Sequence, residues 1–258
     1  MITTTTILLL CLAAFMAGFV DAIVGGGGLI QTPATLILLP QQPVASILGT
    51  VKLPSLLGTS IAAYHYHKQV QLQWRWVIPL AAIAFTASLT GSILATQVSN
   101  AYYKTIVLFI LILVAIYTYS QKQLGITPQK MPNATKALLY SILAGSIIGF
   151  YDGFIGPGTG SFLVLAFVAL MGNDFLHASA HAKLVNVATN LASILFFGSK
   201  GYVLWPVALP MAAANIAGNY AGVKLALLKG NSFVRFVFLV VVIATICRLA
   251  WDILPYGK

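Results

Sequence analysis

Long, nearly uninterrupted apolar runs fill this chain, separated by short polar or glycine-rich breaks. Runs at about 7–24, 44–64, 76–97, 102–120, 137–155, 178–197, 203–227 and 232–254 each have roughly the length that carries a helix across a bilayer core of about 30 Å. Two shorter apolar pieces, 29–39 and 161–171, follow glycine clusters at 25–28 and 156–160. At about 1.5 Å per residue each covers roughly half of the core, which predicts half-helices. Polar residues that are not buried in the runs collect in a loop holding His65, His67, Lys68, Trp74 and Arg75, and in a linker over 121–136. A cluster of basic and aromatic residues is what a membrane–water interface selects.

Composition strengthens that picture. The 258 residues are 59% hydrophobic and 7% charged, against roughly 25% charged in soluble domains, and the mean hydropathy is +0.93. The two-residue alternation of a membrane barrel is absent, so the expectation is an all-α polytopic membrane protein. The net charge of +10 comes from Lys and Arg spread singly through short loops, as the positive-inside bias places them. They form no aromatic–basic platform, which argues against a nucleic-acid partner. Cys11 and Cys247 lie in apolar sequence and read as buried small hydrophobes. Residues 1–22 resemble a signal peptide but lack a basic start, and the matching stretch near 138–150 is internal; the expectation is a retained first helix.

The chain also repeats itself. GFVDAIVGGGG from Gly18 and GFYDGFIGPGTG from Gly149 share the pattern G-F-x-D-x-x-x-G-x-G. The register that lays Gly18 on Gly149 also carries Lys52-Leu53 onto Lys183-Leu184, Trp74 onto Trp205, Pro79 onto Pro210, Gly91 onto Gly222, Asn100 onto Asn231 and Lys104 onto Arg235. One register held this far predicts a duplication. The expected organisation is a first transmembrane repeat over 1–120, a polar linker over 121–136 and a second transmembrane repeat over 137–258. Each repeat is a unit of four to five helices containing a glycine-broken half-helix. Four crossings per unit make the halves parallel and five make them inverted; the loop charges fit both.

Each repeat carries one acid, one glycine break and one lysine at matching places. Unwound backbone at membrane depth is tolerated where it is buried in protein or lines an aqueous cavity. The helix start that follows each break favours an anion. Gly25, Gly27 and Gly28 in the first break, and Gly156, Gly158, Thr159 and Gly160 in the second, are therefore candidate substrate-binding positions; plain close packing of helices is the competing reading. Lys52 and Lys183 follow Asp21 and Asp152 at the same spacing, each inside an apolar helix. A lysine at that depth points to a functional site unless it snorkels to the headgroups. Lys183, Asn186 and Asn190 fall on one helix face, a stripe of donors suited to an anion. Asp21 and Asp152, two of only four acids, read as ion-pair partners of the lysines, as caps on the broken backbone, or as carboxylates that carry a coupling proton.

Other chemistries are not supported. His177 and His181 are spaced i, i+4, but no third ligand with suitable spacing accompanies them, so no metal is expected. No Lys-Ser/Thr pair follows either glycine cluster, which argues against a nucleotide site, and no catalytic triad or H-E-x-x-H motif is present. No cofactor and no enzymatic activity are expected.

GFVDAIVGGGGLIQTP, GTVKL, GFYDGFIGPGTGSF and HAKLVNVATN together resemble the sulfite exporter TauE/SafE family of membrane permeases. The resemblance spans nearly the whole chain and departs at Val51, where members often carry Asn before the first motif lysine. It implies a duplicated helical permease for sulfur-containing anions or organosulfonates, in the bacterial inner membrane. The expected partners are a small sulfur-containing anion, a coupling proton, the lipid bilayer and, where the chain assembles, further copies of itself. The expected mechanism is a secondary transporter in which one unit rocks against the other about a site between the two breaks. An uncoupled anion conduit and a membrane scaffold without transport are the alternatives. The former would lack saturable counterflow, and the latter would keep every phenotype after substitution of Lys183 or Gly158.

Overall fold

A computed structural model describes residues 2–97 and 133–253. Among the described residues there are eight helices and no strand: α1 Thr4–Val24, α2 Gly28–Leu38, α3 Val44–Gln69, α4 Trp74–Ala95, α5 Ala134–Phe154, α6 Thr159–Met171, α7 Phe175–Ser199 and α8 Trp205–Ile253. Five of them (α1, α3, α4, α5 and α7) are long and apolar enough to cross a membrane. The helix expected at 102–120 and most of the expected linker lie outside the described residues.

Local chemistry sets the boundaries. Thr3, Asn133 and Asp174 cap α1, α5 and α7 by accepting the backbone N–H of Thr6, Lys136 and His177 at 3.2, 3.0 and 2.9 Å. The Asn133 cap starts α5 at Ala134, so residues 134–136, expected in the linker, are helix. Partial burial raises the Asp174 carboxyl, but the hydrogen bonds from His177 outweigh it and hold the group below the usual carboxylate range. α3 runs to Gln69 rather than ending near 64, because its i→i−4 ladder continues through Val70 N–H to Tyr66 O at 2.8 Å. His65, His67 and Lys68 are therefore helical, and only 70–73 connect to α4. The interfacial cluster still forms: His67 packs edge-on to Trp74, Lys68 lies over Tyr64 and Arg75 over Trp76. The two helices expected at 203–227 and 232–254 are both present within the α8 span, separated at Gly230, whose backbone (φ 71°, ψ −164°) is not helical.

The short helices behave as their lengths require. α2 has 11 residues and α6 has 13, which at the helical rise gives about 16 and 20 Å, well under the membrane core.

Packing does not follow the two halves of the sequence. α1 packs on α8, with Gly18 against Asn215 and Gly222 against Phe19 and Ala22. At the repeat-related place α5 packs on α4, with Gly149 against Ala84 and Gly91 against Phe150 and Phe154. Small residues let these helix backbones meet closely. The fourth helix of each half is thus exchanged, giving two packing groups: α1, α2, α3 with α8, and α5, α6, α7 with α4. The main junction between the groups is α3 against α7.

Buried polar side chains bind each group together. Asn215 of α8 donates to Ala14 O and to Gln31 Oε1 at 3.0 and 2.9 Å, and Gln31 Nε2 donates to Val51 O at 3.0 Å, linking α8, α1, α2 and α3. In the other group Ser88 of α4 donates to Thr189 O at 2.9 Å and meets Ser193 at 3.0 Å. Each motif-lysine helix also holds the exchanged helix by its start. Thr50 of α3 accepts Leu204 N–H and His181 of α7 accepts Gln73 N–H, both at 3.0 Å.

Candidate substrate site

The two glycine breaks cross each other in backbone contact. α1 ends because Gly25 takes a left-handed conformation (φ 79°) and returns its N–H to Asp21 O at 2.8 Å. A Cβ built on Gly25 would fall on the Gly160 backbone, and one on Gly160 would fall on Gly25. Gly28 lies against Pro157 in the same way. Gly156 (φ 93°) and Gly158 (φ 85°) shape the second break. It is pinned by Thr159 Oγ1 donating to Gly156 O at 2.7 Å and Tyr151 OH donating to Pro157 O at 2.5 Å.

A partly open cavity of about 410 Å³, its mouth included, lies where the breaks and the two lysine helices converge. Of the residues singled out from the sequence, Asp21, Gly25, Gly28, Lys52, Asp152, Gly156, Gly158, Thr159, Gly160, Asn186 and Asn190 line it. Gly27 and Lys183 do not. Gly27 faces α1, where a Cβ would meet Ala17 and Asp21. Lys183 has no exposed surface. Thr32, Leu48, Val51, Ser55 and Ile155 complete the wall without having been expected. Ser55 is the counterpart of Asn186 in the repeat register, so the sequence held a signal for that one. The others belong to apolar runs and become visible only once the helices are placed.

The acids and lysines pair across the halves and across the two packing groups. Lys183 donates to Asp21 O and, at 3.0 Å, to Asp21 Oδ2, which also accepts Thr59 Oγ1 at 2.9 Å. Lys52 donates to Asp152 O at 2.7 Å, while its Nζ lies 3.0 Å from Asp152 Oδ2 without hydrogen-bond alignment. That oxygen is buried with no hydrogen-bond partner, held by charge alone. Asn190 Nδ2 is turned instead to Asn186 O and Oδ1, each at 2.8 Å.

His177 and His181 have separate partners. His177 Nδ1 meets the Asp174 carboxylate at 2.9 Å, and His181 is the acceptor for Gln73 described above. Among the described residues no group of three metal-ligating side chains occurs.

A profile of the sulfite exporter TauE/SafE family matches residues 10–249. The chain belongs to that family. A probable membrane transporter protein, ORF9, from a Sinorhizobium species is 36% identical over 94% of this chain and 92% of its own length. One from Haemophilus influenzae is 34% identical over 92% of both chains. The probable membrane transporter YfcA of Escherichia coli K12 is 33% identical over 93% of this chain and 87% of its own. No solved structure gives a significant match. Membership of this family, with five apolar helices of spanning length, identifies a multi-pass transporter-family protein of the bacterial inner membrane.

Proposed function

We propose that the chain is a secondary transporter for small sulfur-containing anions such as sulfite, thiosulfate or organosulfonates, bound in the cavity between the two breaks. The observation that carries this reading is Lys52, a buried cation on the cavity wall beside Gly156, on a cavity that the opening turn of α6 at Gly158, Thr159 and Gly160 also lines. A lysine ammonium, a helix dipole end and the Asn186 amide make a compact donor set, which Asn190 would join on turning away from Asn186. Charge-assisted bonds from a largely buried ammonium to an oxyanion are stronger than neutral ones. The family's description as sulfite exporters supports a sulfur oxyanion as the substrate class.

Charge balance supports a coupled proton. Lys52 with Asp152 and Lys183 with Asp21 are two neutral pairs, so an anion entering alone meets no net positive charge. Protonating Asp152 releases Lys52 and leaves the cavity one charge more positive. Anion and proton then bind together. The two packing groups, rather than the two sequence halves, are the bodies that would move, because both ion pairs and the crossing of Gly25 with Gly160 bridge them.

Radiolabelled thiosulfate flux into reconstituted vesicles tests this. The expected result is saturable uptake that an imposed proton gradient accelerates and that unlabelled thiosulfate trans-stimulates. Non-saturable flux indifferent to the gradient would assign an uncoupled conduit, and no flux of thiosulfate, sulfite or a sulfonate would assign a scaffold.

A further inference from the structure

We infer that the two repeat-related ion pairs divide the work: Lys52–Asp152 parts to take the anion, while Lys183–Asp21 stays closed and serves as the pivot between the packing groups. This rests on the anion reading above and specifies which half of the site does the binding.

Three differences between the halves carry it. The first is access. Lys52 lines the cavity, whereas Lys183 lies behind Asp21 with no exposed surface. An anion entering the cavity meets Lys52 directly and meets Lys183 only through its partner.

The second is how the carboxylates are held. Asp21 Oδ2 accepts from both Lys183 and Thr59. The repeat register carries Thr59 onto Asn190, and Asn190 donates to Asn186 rather than to Asp152. Asp152 Oδ2 is left buried and without a hydrogen bond. A buried acceptor in that condition is costly to keep, so the second pair is the one that gains from a proton on its carboxylate or an anion at its lysine.

The third is the bracing of the helix ends. At the end of α1, Ala22 O, Ile23 O and Val24 O accept the hydroxyls of Tyr66, Ser179 and Ser161 at 3.0, 2.9 and 3.1 Å. These come from α3, α7 and α6, so the first break is fastened from both packing groups. The repeat-related positions are Phe197, Leu48 and Ile30, none of which can donate. At the end of α5 the counterpart of Ala22, Gly153, accepts the Ser92 hydroxyl at 3.4 Å from α4, inside its own packing group, and Leu48 lines the cavity.

The charged and titratable neighbours of Asp152 are few. Lys52 approaches from α3, Tyr151 is next to it on α5, Asp21 faces it across the cavity and Lys183 lies beyond Asp21. α6 carries no titratable residue, α4 carries only Arg75 at its start, and α7 presents neutral Asn186 and Asn190 to the cavity. A proton that accompanies the anion is assigned to Asp152, whose Oδ2 has no hydrogen-bond donor, rather than to Asp21, whose Oδ2 has two, and affinity then rises as pH falls.

Equilibrium binding of thiosulfate, whose charge is constant through the neutral range, to the full-length protein in detergent at several pH values tests the division. The wild type is expected to tighten by up to about tenfold per pH unit on acidification, the limit for one linked proton. Asp152→Asn is expected to bind with no pH slope. Lys183→Met with Asp21→Asn, which keeps the first pair neutral, is expected to retain the slope. Asn190→Thr, which puts a Thr59-like hydroxyl beside Asp152 and removes one amide from the anion's donor set, is expected to weaken binding and flatten the slope while both charged pairs keep their residues, and it serves if the Lys183 variant does not fold. A slope kept in Asp152→Asn and lost in the Lys183/Asp21 variant would overturn the division while leaving the anion site standing. A wild type that binds neither thiosulfate nor sulfate at any pH would overturn the site itself.

Discussion

Lys183→Met is expected to cost about 3–5 kcal/mol of stability, the usual penalty for removing one partner of a buried ion pair. Lys183 is wholly buried between α7 and α1, and its ammonium meets both the carbonyl and the carboxylate of Asp21. Without it the carboxylate keeps only the Thr59 hydroxyl and a narrow opening on the cavity. Adding Asp21→Asn should recover much of the loss, because neutralising both partners of a buried pair is often nearly neutral in free energy. Thermal unfolding in detergent, followed by near-UV circular dichroism, reads both. The single variant should melt on the order of 10 °C lower and the double variant well above it. A single variant within about 1 kcal/mol of the wild type would show that the pair does not hold α1 to α7.

Gly25→Ala is expected to be at least as damaging, for a different reason. Any side chain at φ 79° pays about 1–2 kcal/mol for left-handed backbone. Here the added methyl would also enter the Gly160 backbone, so the two breaks must separate and the cavity between them must deform. Gly201 supplies the control. Its φ is 73°, yet a Cβ there meets nothing within 4 Å. Gly201→Ala should therefore show the conformational cost alone. Gly25→Ala should lose several times as much stability, or fail to accumulate folded. Equal costs for the two would mean that the breaks are not in contact.

The repeat register made much of this legible. Laying Gly18 on Gly149 found the paired acids, lysines and glycine breaks, and the structure gathers most of them round one cavity. Among the described residues apolar run lengths located the long helices and the two short ones, with errors at the ends where a cap such as Asn133 or a continued ladder at Val70 decided the boundary. The exchange of α4 and α8 was not legible. Gly91 and Gly222 match each other in register, and a register does not say which copy of α1 each will pack against. The unequal halves were written in the sequence at positions where the repeat fails, namely Thr59 against Asn190 and Tyr66 against Phe197. Their meaning depends on which carboxylate or carbonyl each side chain reaches, and only the placed helices supply that.

An anion held at Lys52 between the crossed breaks should stabilise the folded protein. A thermal-shift screen of purified protein against sulfite, thiosulfate, sulfate, sulfoacetate, taurine, phosphate and chloride tests it most directly. A ligand at about 100 times its Kd stabilises the folded state by roughly 2.7 kcal/mol, a readily measured shift. The expected result is stabilisation by one or a few sulfur anions, absent for chloride and abolished in Lys52→Ala. A shift of the same size from every anion, or one that survives in Lys52→Ala, would contradict the account.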